Sequence, residues 1–201
     1  VCSSDLTTLT LTSTATQTAA PFMVGVGLKR GDATTINLQS LPNHRVTIKR
    51  TWSDGSIKHA IITGRAPLTA NTPLVLNLNR GAAPVGGTDL TSASIAAAFP
   101  SASVQCGALG TVSLSSLLSA PVRTWISNAE MVECHYRGQV GNSTLSVWFH
   151  VRLFVDGRLW VRAIVENGYL DNGAGGLASN VDYSYVPAIV IGGAVVFNNG
   201  G

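Results

Sequence analysis

Five side chains around one short turn carry the clearest chemistry in this chain: Trp148, His150 and Arg152 before it, Trp160 and Arg162 after it. Flat aromatic rings stack on the apolar faces of sugars while Arg and His supply hydrogen-bond donors, so the set suits a carbohydrate platform. It suits equally a seam against a following domain, where Trp and Arg are the usual anchors, or amphipathic cover over a barrel rim. Other combinations are weaker. Glu130 and Glu133 stand an odd number of residues apart, which on a strand sends them to opposite faces and not together as acid and base. His44, His59, His135 and His150 lie on different segments without a ligand spacing, and Cys134 and His135 are strand neighbours that point apart. No metal and no cofactor is expected. Cys106 and Cys134 suit either one disulfide or two separate buried thiols. No Gly-x-Ser-x-Gly elbow occurs, and this chain alone is not expected to be an enzyme.

What brings the five together is a hairpin over 145–167, turning at Asp156-Gly157. A two-residue loop would set Val151 against Arg162 and Val147 against Glu166. A three-residue loop, Val155-Asp156-Gly157 with Gly157 left-handed, pairs Leu153 with Leu159, Val151 with Val161, Phe149 with Ala163 and Val147 with Val165. Those pairs are all apolar, which predicts a type I turn with a G1 bulge. The opposite face then sets Phe154 against Arg158, Arg152 against Trp160, His150 against Arg162 and Trp148 against Ile164, leaving Ser146 opposite Glu166.

A second Asp-Gly turn lies in 50–60. Trp52 facing Ile57 and Ile48 facing Ile61 would make one apolar ladder, with Trp52 buried and Arg50 opposite His59. The alternative, Trp52 against Ser56 and Thr51 against Ile57, mixes the faces, and a one-residue slip inverts what is buried. The motif Trp52-x-Asp54-Gly55-Ser56-x-Lys58, preceded by Val24-Gly25-Val26-Gly27 and Arg30-Gly31-Asp32, resembles the N-terminal RIFT-type β-barrel domain of proteins similar to exo-rhamnogalacturonan lyases. The likeness covers 22–66 well and 120–197 more loosely. It implies a non-catalytic module of a secreted, bacterial, polysaccharide-degrading protein. Catalysis would then belong to a later helical-barrel domain, and the partners would be that domain and an acidic plant or bacterial polysaccharide. The rival reading is a structural or adhesion module of a phage tail or bacterial surface protein.

The rest of the chain reads as one β-domain. Its 201 residues suffice for a sizeable core. Residues 1–6, Val-Cys-Ser-Ser-Asp-Leu, match the translation of a common sequencing-adapter end. They are expected to pack against nothing, leaving 7–201 as one domain of a longer protein; without Asp5 the formal charge moves from +3 to +4. Such a charge, scattered and without a basic run, does not point to nucleic acid. Charged residues are 11% of the chain, so Ser, Thr, Asn and Gly must build the surface, a texture common in exported bacterial β-proteins and phage structural proteins. No apolar run reaches the roughly 20 residues of a membrane helix. Strands are expected over 22–28, 36–40, 46–52, 57–65 and 74–79, weakly over 112–118, and again over 122–136, 145–167 and 181–197 with a turn at Gly192-Gly193. One short helix is expected over 89–99, capped by Asp89. Arg30-Gly31-Asp32 reads as a turn, and the sequon Asn142-Ser143-Thr144 is set aside with the bacterial reading. The expected architecture is all-β, a RIFT-like barrel or distorted two-sheet sandwich with one short helix.

Overall fold

The computed structural model describes residues 5–99, 101–141, 145–167 and 185–198. It is all-β, with four antiparallel sheets and one α-helix among the described residues. The expectation of one domain over 7–201 meets two compact units, one of the residues up to Asp89 plus Asn128–Met131, the other of Leu90–Ser127 and the residues from Val132.

The first unit holds β1 (Asp5–Leu11), β2 (Gln17–Gly27), β3 (Ile36–Leu38), β4 (His44–Thr51), β5 (Ile57–Leu68) and β6 (Leu74–Arg80). They form two sheets, β1-β6-β3 and β2-β5-β4. Ile36, Leu38, Ile57, Ile62 and Leu78 fill the core between them. β1 starts at Asp5, opposite Asn79, and Leu6 packs against this core. The tail of the adapter-like stretch is thus part of the fold, while residues 1–4 lie outside the described residues. The turn Asn128–Met131 is held within this unit by polar bonds. Asn128 Oδ1 accepts the amides of Glu130 and Met131, its Nδ2 donates to Thr47 and Thr63, and Arg65 Nε grips Glu130 at 2.8 Å.

The Asp54-Gly55 hairpin takes the register that apolar matching disfavours. Thr51 faces Ile57, Thr47 faces Ile61, and Ile48, 46% exposed, faces Ala60, with bulges on either side of the Arg50–His59 pair. The turn decides this. Trp52 donates to the Ser56 carbonyl at 2.8 Å, Gly55 donates back to the Trp52 carbonyl, and Gly55 sits at φ +84°. That is a three-residue loop with a glycine bulge. Trp52 is therefore half-buried and not a core residue, its Nε1 donating to the Leu28 carbonyl and Lys58 Nζ lying 4.4 Å above its ring. The Ser56 hydroxyl and amide both donate to Asp54 and hold its carboxyl below the usual range. Gly31 donates to Ser56 Oγ, and Arg30 lies 3.4 Å from Asp54. The segment Arg30-Gly31-Asp32 and the Asp54-Gly55 turn thus meet as one turn structure.

The second unit holds α1 (Ser92–Ala98), β7 (Ala102–Cys106), β8 (Thr111–Ser113), β9 (Arg123–Ser127), β10 (Met131–Gln139), β11 (Leu145–Phe154), β12 (Leu159–Asn167), β13 (Pro187–Ile191) and β14 (Ala194–Asn198). Its sheets are β12-β11-β10-β9 and β14-β13-β7-β8. The helix starts later than expected. Thr91, not Asp89, is its cap residue, and the Thr91 amide donates to Ser94 Oγ at 3.1 Å. Val104, Leu114, Tyr136, Leu145, Val147, Phe149 and Val151 are fully or almost fully buried in one cluster, which Ile95 of α1 joins. Cys106 and Cys134 belong to that cluster as free thiols, so the disulfide alternative is corrected to two separate buried cysteines. Burial among apolar neighbours pushes the Cys106 thiol up.

Candidate functional site

The hairpin β11–β12 adopts the predicted register throughout, from Leu145↔Asn167 to Leu153↔Leu159. Phe154 donates to the Arg158 carbonyl, Gly157 donates to the Phe154 carbonyl, and Gly157 lies at φ +84°. Val147, Phe149 and Val151 are buried, while Trp148, His150 and Arg152 are half-buried and Trp160 is 41% exposed. The five predicted side chains therefore share one face of the sheet, away from the core.

β10 and β9 add to that face. Val140 donates to the Leu145 carbonyl at 2.9 Å, and a ladder continued from that bond sets His135 beside His150, Glu133 beside Arg152 and Arg137 beside Trp148. These are the pairs in contact. The rings of His135 and His150 stack with centroids 3.9 Å apart and 14° between planes. Arg152 Nε donates to Glu133 Oε2 at 2.6 Å. Arg137 lies over the Trp148 ring at 5.4 Å and donates to Ser146 Oγ. On β9 the pairing shifts between Glu133↔Ile126 and Cys134↔Thr124, which skips Trp125. A bulge re-aims such a residue, and here the Trp125 ring stacks on His135 with centroids 6.3 Å apart.

The result is three tryptophan–arginine pairs on one sheet face. Arg123 lies 4.2 Å from the Trp125 centroid, Arg152 lies 4.4 Å from that of Trp160, and Arg137 covers Trp148. Cation–π contacts of this kind hold each indole against its partner. Four arginines, counting Arg162, stand against two glutamates. Glu133 is buried and engaged by Arg152 and His135, and Glu166 accepts from Trp148 Nε1 at 2.7 Å. Among the described residues, no carboxylate forms an ion pair with Arg123, Arg137 or Arg162. Burial, with His135 next, lowers the His150 pKa, so its imidazole favours the neutral form.

Sequence reasoning singled out five of these residues, passed over Arg123, Trp125 and Arg137, and did not join His150 to Glu133 and His135. In the group of Glu133, His135 and His150 one ligand atom from each residue lies within 4.8 Å of the others. No local spacing announces it, because its histidines belong to different strands; the signal is the bond from the Val140 amide to the Leu145 carbonyl, which fixes the β10–β11 register. Glu130 and Glu133 do separate, Glu130 to Arg65 and Glu133 to Arg152.

A concavity of about 450 Å³ lies in the first unit beside the Asp54-Gly55 turn, lined by Asp32, Thr34, Thr35, Asp54, Ser56 and Arg80 among others. Its groups are committed to the loop: Asp32 accepts the Lys29 amide, and Arg80 Nε donates to the Asp32 carbonyl. No protein-family model matches the chain, and neither the curated proteins nor the solved structures give a significant match to it.

Proposed function

We propose that the chain is a non-catalytic carbohydrate-binding β-module, which holds an acidic oligosaccharide on the outer face of β12-β11-β10-β9. The observation that carries this reading is the set of three tryptophan–arginine pairs on that face, with Arg162 added. Each indole offers apolar surface for a sugar ring, and the cation over it keeps the ring in place. Arginine forks suit carboxylates, which they bind through two parallel hydrogen bonds. An excess of arginine over glutamate therefore favours uronic acids over neutral sugars. Trp160, the most exposed of the three indoles, is the natural anchor. The module would serve a secreted bacterial protein that acts on such a polymer.

Calorimetric titration with an acidic pectic oligosaccharide and with a neutral one of the same length tests the reading. Binding should be confined to the acidic ligand and weaken with salt. Trp160→Ala with Arg162→Ala should abolish it without shifting the unfolding temperature. Equal affinity for the neutral sugar, or a double variant that binds as well as the parent, would sink the proposal. The rival use of the same face, a seam against another protein domain, predicts no sugar binding and self-association that the double substitution cures.

A further inference from the structure

We propose that Glu133, His135 and His150 form a site for a borderline divalent transition-metal ion, of the class of Zn²⁺, Co²⁺ or Ni²⁺. Two imidazole nitrogens and one carboxylate oxygen are the donor set such ions take in proteins, whereas Ca²⁺ and Mg²⁺ prefer oxygen alone. Glu133 Oε1 and His135 Nε2 are 3.1 Å apart. That is close to the spacing of two ligands on one tetrahedral ion, about 3.4 Å for bonds of ~2.1 Å. All three donors lie within 4.8 Å of one another, so closing the set needs movement mainly of His150.

The stack shows what that movement must be. Imidazole lone pairs lie in the ring plane, and these two planes are stacked with centroids 3.9 Å apart and only 14° from parallel, so a shared ion requires the planes to converge. His150 is half-buried on the outer face, so it can turn about its side-chain bonds without disturbing the core. The other two ligands are already held. Arg152 Nε fixes Glu133 through Oε2, leaving Oε1 toward His135. The indole of Trp125 lies against His135. Groups that orient ligands in this way raise metal affinity. Three protein ligands leave a coordination position for water or an anionic group, and the site lies amid the tryptophan–arginine pairs.

The inference does not depend on carbohydrate binding, and its test contains no sugar. The whole chain, freed of metal by chelator, is titrated with Zn²⁺ by calorimetry and with Co²⁺ by visible absorption. One ion per chain is expected, with the d–d absorption of low-coordinate Co²⁺ and quenching of tryptophan fluorescence when Cu²⁺ replaces it. His150→Phe keeps a flat ring against His135 but removes the donor nitrogen. It should lower affinity at least about tenfold, the least that disturbing a metal site's supporting groups costs, and abolish the Co²⁺ absorption while leaving the metal-free unfolding temperature unchanged. Since Glu133 is buried beside Arg152, a Glu133→Gln chain that fails to fold is replaced as a test by His135→Phe, with the same expectation. Zn²⁺ affinity unaltered in both histidine variants, or Co²⁺ that keeps the spectrum of the hydrated ion, would overturn the site.

Discussion

His44 is fully buried in the first unit, with Nε2 accepting the Leu38 amide at 3.2 Å and Nδ1 facing the Leu41 carbonyl. That pattern requires the neutral ring carrying its proton on Nδ1. Desolvation dominates its environment and lowers its pKa, against the opposing pull of the Leu41 carbonyl. The sign follows: the unfolded chain binds a proton that the folded imidazole resists, so stability rises with pH between the folded and unfolded values. His44 therefore contributes stability that is present above about pH 6.5, the value of a free imidazole, and is lost as pH falls toward the lowered one. Urea unfolding of the wild type and of His44→Gln at about pH 7.5 and pH 5.5 reads this directly. The variant should be less stable at the higher pH and show a smaller loss on acidification; an equal loss in both proteins would remove His44 from the account.

At the scale of elements, one turn chemistry recurs with opposite consequences for prediction. Asp54-Gly55 and Asp156-Gly157 both end a three-residue loop with glycine at φ +84°, and Asp54 and Asp156 each accept the amide two residues on. In β11–β12 the loop and the apolar pattern agree, so the register is readable. In β4–β5 they disagree, and the loop prevails because bulges beside Arg50 absorb the mismatch. The two kinds of glycine constraint should separate on substitution. A Cβ on Gly157 would meet nothing within 4 Å, so Gly157→Ala should cost only the left-handed backbone term, about 1–2 kcal/mol, with Gly157→Asn milder. Gly64 of β5 would instead place a Cβ 2.5 Å from the Asn43 carbonyl oxygen and 2.9 Å from His44 Cβ. Backbone must move to admit it, so Gly64→Ala should cost more than Gly157→Ala. Chemical denaturation of both variants checks the order, and the reverse ranking would contradict the packing described at β4–β5.

At the scale of the whole molecule, surface composition and strand order bear on solubility. Among the described residues β14 is the outer strand of its sheet, and Val195, Val196 and Phe197 are 60%, 58% and 48% exposed. An apolar edge with free backbone groups invites pairing with another chain, and a lysine there blunts it. Val195→Lys should raise the concentration at which light scattering detects association, with the unfolding temperature held; no change would show that association, if seen, runs through another surface. The all-β class, most strand positions, the β11–β12 register and the five-residue strip were readable from the sequence. All rest on alternation and turn residues, which act over a few positions and leave a local trace. The β4–β5 register, the place of Leu6 in a strand, the Thr91 cap and the free state of Cys106 and Cys134 were settled by packing and by competition between neighbouring signals. The group Glu133, His135 and His150 exists only because β10 and β11 pair in the register marked by the Val140–Leu145 bond, and Trp125 reaches the same face only through a bulge. Tertiary pairing alone assembles these residues, since side chains on different strands become neighbours by hydrogen-bond register and not by sequence distance.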